Sequence, residues 1–201
     1  MNSQKVLKIS ARVPKKSPDR ISQGDIFSNI EIIEGLEIKG NKLIVNKVCF
    51  PYVVCLNQEC DLENDYNSAI NQEKKDCRLM HLAIAPAFNF EQFLSGKHWG
   101  ELYDSNEGIK RSRSNGKAII DNQNPRYHYL KFPEVDKPEL IVDFKHFFTV
   151  NRDSLYKQID KRLYSLDDLF REKLSQRFCN YVSRIGLPVE IIDECNETDK
   201  R

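Results

Sequence analysis

Gln58, Cys60 and Asp61 bring an amide, a thiol and a carboxylate together at the polar end of an apolar run, in FPYVVCLNQECDLEND at residues 50–65. A cysteine acts as a nucleophile through its thiolate and needs a base within hydrogen-bond reach. His81 and His128 are the histidines considered for that role, and the catalytic candidates are Gln58, Cys60, Asp61 and His81. The same residues also have a simpler use: Cys60 turned inward as an anchor, with Gln58 and Asp61 bonding the backbone of their own segment. Cys55, Cys60, Cys77 and His81 are the ligand types of a tetrahedral zinc site. Cys77 and His81, however, stand four residues apart on an extended segment, roughly 13 Å, too far for one ion. No metal and no cofactor are expected.

A second constellation is basic and aromatic. Lys110, Arg111, Arg113 and Lys117 form the densest positive cluster beyond the N-terminal arm and lead into Arg126, Tyr127, His128 and Tyr129. Cationic side chains neutralise phosphates and exposed rings stack on bases, so Lys110, Arg111, Arg113, Lys117, Arg126, Tyr127 and Tyr129 are the candidate nucleic-acid-binding residues. Asp61, Glu63, Asp65 and Asp143 have no spacing that fixes any two of them as a metal-binding pair.

Bulk composition narrows the classes. The 201 residues carry 31 Lys+Arg against 30 Asp+Glu, so any nucleic-acid surface is local rather than global. No run approaches the roughly 18 apolar residues that cross a bilayer, and the first residues lack a secretory signal. The expectation is a cytoplasmic protein that does not engage membranes. Its six cysteines (Cys49, Cys55, Cys60, Cys77, Cys179, Cys195) are then expected to be reduced and mostly buried.

The elements that position these groups follow from pattern. Residues 1–20 read as a basic arm with one short strand in KVLKISARV, residues 21–192 as one domain, and residues 193–201 as an acidic tail. Gly40-Asn41 between alternating segments predicts a hairpin, while PYVVCL and CRLMHLAIAP read as short buried strands. Between those two strands, QECDLENDYNSAINQEKKD reads as a long surface loop. Residues 88–124 form an insertion with a helical turn or two around Phe90 to Leu102, and RYHYLKF and ELIVDFKHFFTV supply two further strands. Ser165 reads as the hydroxyl cap of a closing helix over 165–186, with its stripe at Leu166, Leu169, Phe170, Leu174, Phe178, Tyr181, Val182 and Ile185 and its stop at Gly186 and Pro188. Short hairpin-linked strands and one closing helix predict an α+β fold built on a small curled antiparallel sheet or barrel.

With that order, the chain resembles the PemK/MazF-like family of toxin ribonucleases. The likeness lies in QGDIF at 23–27, FPYVVCLNQ at 50–58, LMHLAIAP at 79–86 and ELIVDFKHFFTVNRDSLYKQIDKRL at 139–163, the last containing Thr149-Val150-Asn151-Arg152. Gln58-x-Cys60-Asp61-Leu62 is similar to a signature of bacterial proteins of this barrel type. The resemblance implies an SH3-like β-barrel with an inserted loop-helix region and a C-terminal amphipathic helix. It also implies single-stranded RNA as partner and a bacterial toxin–antitoxin or antiviral-defence setting. In members that cleave RNA it places an Arg just before the Pro-x-Val-Val strand and a Thr just after Ala-Pro; here those places hold Val48-Cys49-Phe50 and Ala87. Without that cation and hydroxyl the scissile phosphate loses its electrostatic stabilisation, so cleavage would have to draw on Gln58, Asp61, His81 and nearby lysines. Three readings stay open: nucleic-acid binding or cleavage, a non-catalytic protein-interaction module, and a Cys60-dependent hydrolase. A homodimer stays open beside them.

Overall fold

The computed structural model describes residues 19–71, 76–100, 102, 109–114, 116–132 and 138–184. The arm segment KVLKISARV, residues 133–137 between RYHYLKF and ELIVDFKHFFTV, Ile185, the Gly186/Pro188 stop and the acidic tail with Cys195 lie outside the described residues.

The chain opens with two long strands, β1 (Asp25–Lys39) and β2 (Lys42–Cys55), where sequence pattern predicts several shorter ones. Their two-residue connection is Gly40-Asn41, with Gly40 at φ +62° as the first central residue, a conformation that glycine adopts without strain. Pro51 lies inside β2 and brings no N–H to the ladder. Its neighbour across the hairpin, Asn29, takes φ +52° between the pairs Ser28↔Tyr52 and Ile30↔Phe50. PYVVCL is thus the last third of a longer strand, continued by Leu56.

After β2 come α1 (Glu59–Ile70), β3 (His81–Asn89), α2 (Phe90–Ser95), α3 (Lys117–Ile120), β4 (Tyr127–Leu130), β5 (Leu140–Asp143), β6 (Phe148–Asn151), α4 (Arg152–Tyr156), β7 (Arg162–Ser165) and α5 (Asp168–Val182). The order across the sheet is β4-β5-β3-β2-β1-β7, all antiparallel, with β6 also on β3. Strands β5 and β6 follow one edge of β3 in succession, interrupted by a 3-10 turn at Phe144–His146. The interruption has a local cause: the Asp143 carboxylate accepts the Lys145 N–H and draws the chain into the turn. The fold is α+β with a seven-stranded antiparallel sheet. The sheet is not closed, so β4 and β7 are edges and the expected barrel closure is absent among the described residues.

Alternation along the strands buries both faces. Ile26, Val54, Ala85 and Val142 meet Phe170 and Leu174 of α5, while Phe27, Val53, Cys55 and Ile84 join Leu62 of α1 and Leu155 of α4. A third cluster, Phe88, Phe90, Phe93, Ile119, Tyr127, Tyr129 and Ile141, seats α2 and α3 of the insertion. Gly24, at φ +77°, stitches the layers: its N–H bonds the Cys55 carbonyl, its own carbonyl takes the Leu166 N–H, and a Cβ there would lie 3.1 Å from that of Leu166.

Three expectations need correction. The segment after β2 is a helix and not a loop. Leu62, Asp65 and Ser68 are buried along one face of α1, and the polar Asp65 is accommodated because it accepts the Leu79 N–H at 2.9 Å and Arg152 Nε at 2.6 Å. Ser165 does not cap the last helix; it ends β7 and donates to the buried Asp25 carboxylate, while Asp167 takes the cap position. The cysteines are mostly not buried: Cys55 is, but Cys49, Cys60 and Cys179 are exposed and Cys77 is half-buried. Within the described residues, no helix is long and apolar enough to cross a membrane.

Candidate functional site

Gln58, Cys60 and Asp61 do come together, on the first turn of α1. Gln58 occupies the cap position with extended backbone, yet its side chain bonds no helical N–H. The Cys60 sulfur faces two acceptors, Gln58 Oε1 at 3.7 Å and Asp61 Oδ1 at 3.8 Å. A nucleophilic thiolate needs a cation or an imidazole beside it, and this one meets oxygens. No hydrogen bond or ion pair among the described residues joins His81 to the cluster; His81 is exposed at the start of β3, opposite Asn151. His128 is buried and uncharged, and burial pushes its pKa down to about 3, so it offers no base to an exposed thiol.

Sequence reading passes over Glu59, which holds this corner together. Its carboxylate takes Arg20 at 2.6 Å, the Gln23 N–H at 2.8 Å and Arg171 of α5 at 3.5 Å. Asn57 adds a further tie by accepting the Ala83 N–H at 2.6 Å. The stretch after the strand is therefore a joint between β2, α1 and α5. Cys55 is fully buried, its thiol pushed up by burial, and no three His, Cys, Asp or Glu side chains among the described residues gather at metal distance.

The expected nucleic-acid residues divide. Tyr127 and Tyr129 are buried against Phe93 and Phe90, with ring centroids 5.0 and 4.8 Å apart, so neither ring face is open to a base. The reason is topological: β4 is covered by α2 and α3, which the sequence presents only as an insertion. Arg113 is engaged by Glu91 and by Glu139 at 3.1 Å. Arg126 forms a two-pronged pair with the buried Asp143 at 2.6 and 2.8 Å and lies 4.8 Å over the Tyr127 ring. Arg111 stacks 4.6 Å over Phe93. Lys110 and Lys117 are exposed.

A different set of rings reaches the surface beside Arg126. Trp99 meets His146 edge-on at 4.5 Å; Phe147, next in the chain, meets Phe178 at 5.0 Å; and Arg184 lies 4.8 Å over Tyr181. Phe144 beneath contacts both Phe178 and Tyr181 of α5. His146, Phe147 and Lys145 are exposed and Trp99, Phe178 and Tyr181 half-buried. His146 has its pKa lowered by burial, which outweighs the attraction of Asp143, so it serves as a neutral ring near neutral pH. The buried His98 beneath, which contacts Phe88, Phe93 and Trp99, is pushed down to about 4 for the same reason. The strip thus gathers Trp99, Arg111, Arg126, Lys145, His146, Phe147, Tyr181 and Arg184 from the insertion, the 3-10 turn and its neighbours, and the end of α5.

This strip and the start of α1 are separate places. Arg171, which touches Glu59, and Tyr181 lie ten residues apart on α5, about 15 Å along a helix axis. Phe178 and Tyr181 are recognisable in the sequence only as members of an apolar stripe, and no local pattern joins them to Trp99 or His146. Compared with known proteins, the chain matches no family model, no curated protein and no solved structure.

Proposed function

We propose that the protein binds single-stranded nucleic acid, RNA favoured, through the Trp99–His146–Phe147–Tyr181 strip, and that it is a degenerate PemK/MazF-like protein of a bacterial toxin or phage-defence setting. The observation that carries the binding reading is the gathering of partly exposed rings with guanidinium and ammonium groups around the 3-10 turn and the end of α5. Rings accept any base, because every base has a π-face, and cations between them follow the phosphates. The family assignment rests on the sequence likeness, with the open sheet standing where that likeness implies a closed barrel. Binding is favoured over cleavage because Gln58, Cys60 and Asp61 sit at the start of α1, beside the Arg171 end of α5 and not the Tyr181 end, with no partner base among the described residues, and Val48–Phe50 and Ala87 offer neither the cation nor the hydroxyl that the family uses.

Fluorescence anisotropy with a labelled single-stranded oligoribonucleotide tests the reading. The expected result is binding that weakens with salt at a slope of about −2 to −3 in log–log form, from three or four cation–phosphate contacts at roughly −0.7 each. Trp99→Ala and Arg184→Glu should each weaken binding by about tenfold, stacking being worth roughly 1–3 kcal/mol per base. Absence of binding at low ionic strength removes the proposal. Intact RNA on a denaturing gel after incubation separates binding from cleavage, and product formation lost in Asp61→Asn would restore the catalytic reading.

A further inference from the structure

The groups around Trp99 close into a circuit of contacts. His98 lies 5.0 Å from Phe93 and 5.6 Å from Trp99, ring to ring, and Trp99 meets His146 at 4.5 Å. His146 Nε2 stands 3.9 Å from Asp143 Oδ2, and the same oxygen holds Arg126 at 2.6 Å. Arg126 lies over Tyr127, whose ring packs back on Phe93 at 5.0 Å. Arg111 joins from the insertion, 4.6 Å over Phe93. Segments distant in the chain thus converge on one small area. The charges of Asp143, Arg111 and Arg126 all reach His98, and those of Asp143, Arg126 and Lys145 reach His146.

Charge within the circuit does not balance. Arg126 is matched by Asp143 through its two-pronged pair. Arg111 donates to the Ile109 carbonyl at 3.0 Å, and among the described residues neither it nor Lys145 has an ion pair. Three cations against one carboxylate leave two positive charges beside two neutral imidazoles. One of those imidazoles is itself incomplete: His98 is 6% exposed, and its Nδ1 has no hydrogen-bond partner among the described residues. A buried polar atom without a partner points to a group that completes it.

We propose that this circuit seats the terminal phosphate of a nucleic-acid strand, a phosphomonoester at one end of the chain, with the adjoining base on Trp99. The proposal rests on the nucleic-acid reading of the strip and names the part of a strand that occupies its centre. Charge makes the choice between an end and an internal link. A phosphomonoester carries about two negative charges near neutral pH and three acceptor oxygens, whereas an internal phosphodiester carries one charge. The two unmatched cations suit the first. Arg111 brings a guanidinium and Lys145 an ammonium, whose bonds to phosphate oxygen are charge-assisted and about twice as strong as neutral ones. Exposed His146 adds a neutral N–H donor between Asp143 and Trp99. Phe147, Tyr181 and Arg184, gathered at the end of α5, remain for the nucleotides that follow.

The test is fluorescence anisotropy of the full chain with one internally labelled oligoribonucleotide in three forms: 5′-phosphorylated, 3′-phosphorylated, and with hydroxyls at both ends. A phosphorylated form should bind about tenfold tighter than the hydroxyl form, and the arm that shows the preference tells which end of the strand is seated. Arg111→Gln and Lys145→Gln should each lower that ratio to about one, while Lys145→Arg keeps it. Lys145 is exposed on the 3-10 turn, so the circular dichroism of its variants should remain that of the parent chain. Arg184→Glu, at the far end of the strip, should weaken all three forms alike and leave the ratio as it was. Binding that ignores the terminal phosphate overturns this proposal and leaves strand binding standing. No binding of any form at low ionic strength removes the nucleic-acid reading and the seat with it. A preference that survives both Arg111→Gln and Lys145→Gln puts the phosphate elsewhere and overturns the seat.

Discussion

His128 should set part of the acid limit of this fold. It is almost fully buried in β4 with no hydrogen-bond partner for its Nδ1 among the described residues, and burial, reinforced by the positive charges of Arg177 and Lys173, moves its pKa from 6.5 to about 3. A base whose folded pKa is depressed stays neutral in the native state while the unfolded chain takes up a proton. Its contribution to stability is therefore intact above about pH 6.5 and is lost as pH falls from there towards about 3. Each pH unit in that window costs ~1.4 kcal/mol, so at about pH 5 the native state gives up about 2 kcal/mol relative to neutral pH through this residue alone. His128→Leu removes the titration and replaces an unpartnered polar ring with an aliphatic side chain of smaller size, so the folded state should survive the change. The assay is urea unfolding of parent and variant at about pH 7.5 and about pH 5, with linear extrapolation. The parent should lose about 2 kcal/mol more than His128→Leu over that interval. Other histidines titrate in both chains and cancel in the difference. Equal losses in the two chains would mean that His128 is already protonated or hydrated in the native state, and the burial argument fails.

Arg152→Met should cost about 3–5 kcal/mol in urea unfolding, because Asp65 loses its 2.6 Å partner while remaining inside the protein. Asp65→Asn should recover part of that loss in the double variant. Gly24→Ala should lower stability by about 1–3 kcal/mol, from a φ of +77° and from crowding against Leu166; thermal melting reads it directly. In native thiol labelling, Cys49, Cys60 and Cys179 should react quickly and Cys55 only after unfolding, since it is fully buried. Labelling of Cys55 at the rate of the exposed thiols would contradict the packing of β2.

Local features of the sequence determined much of the fold. Gly40-Asn41 is a turn signal carried by two residues, and the hairpin forms there. The apolar runs PYVVCL and CRLMHLAIAP specify strands, and the spacing of Phe170, Leu174 and Phe178 specifies the last helix. What escaped was decided by partners distant in the chain. Residues 59–70 look too polar to order themselves, but Asp65 meets Arg152, 87 positions away, and Glu59 meets Arg20 and Arg171. Ser165 looks like a helix cap until Asp25, 140 positions earlier, claims its hydroxyl. The candidate site followed the same division. Sequence alone identified Gln58, Cys60 and Asp61 as neighbours, because adjacency survives folding, and Arg126 as a cation beside rings. Only tertiary structure decided that Tyr127 and Tyr129 point inward beneath α2 and α3, and that Trp99, His146, Phe147 and Tyr181 share a surface. A period-2 pattern tells which side chains share a face of a strand, but not which face another element will cover; that choice is made by burial of the whole chain.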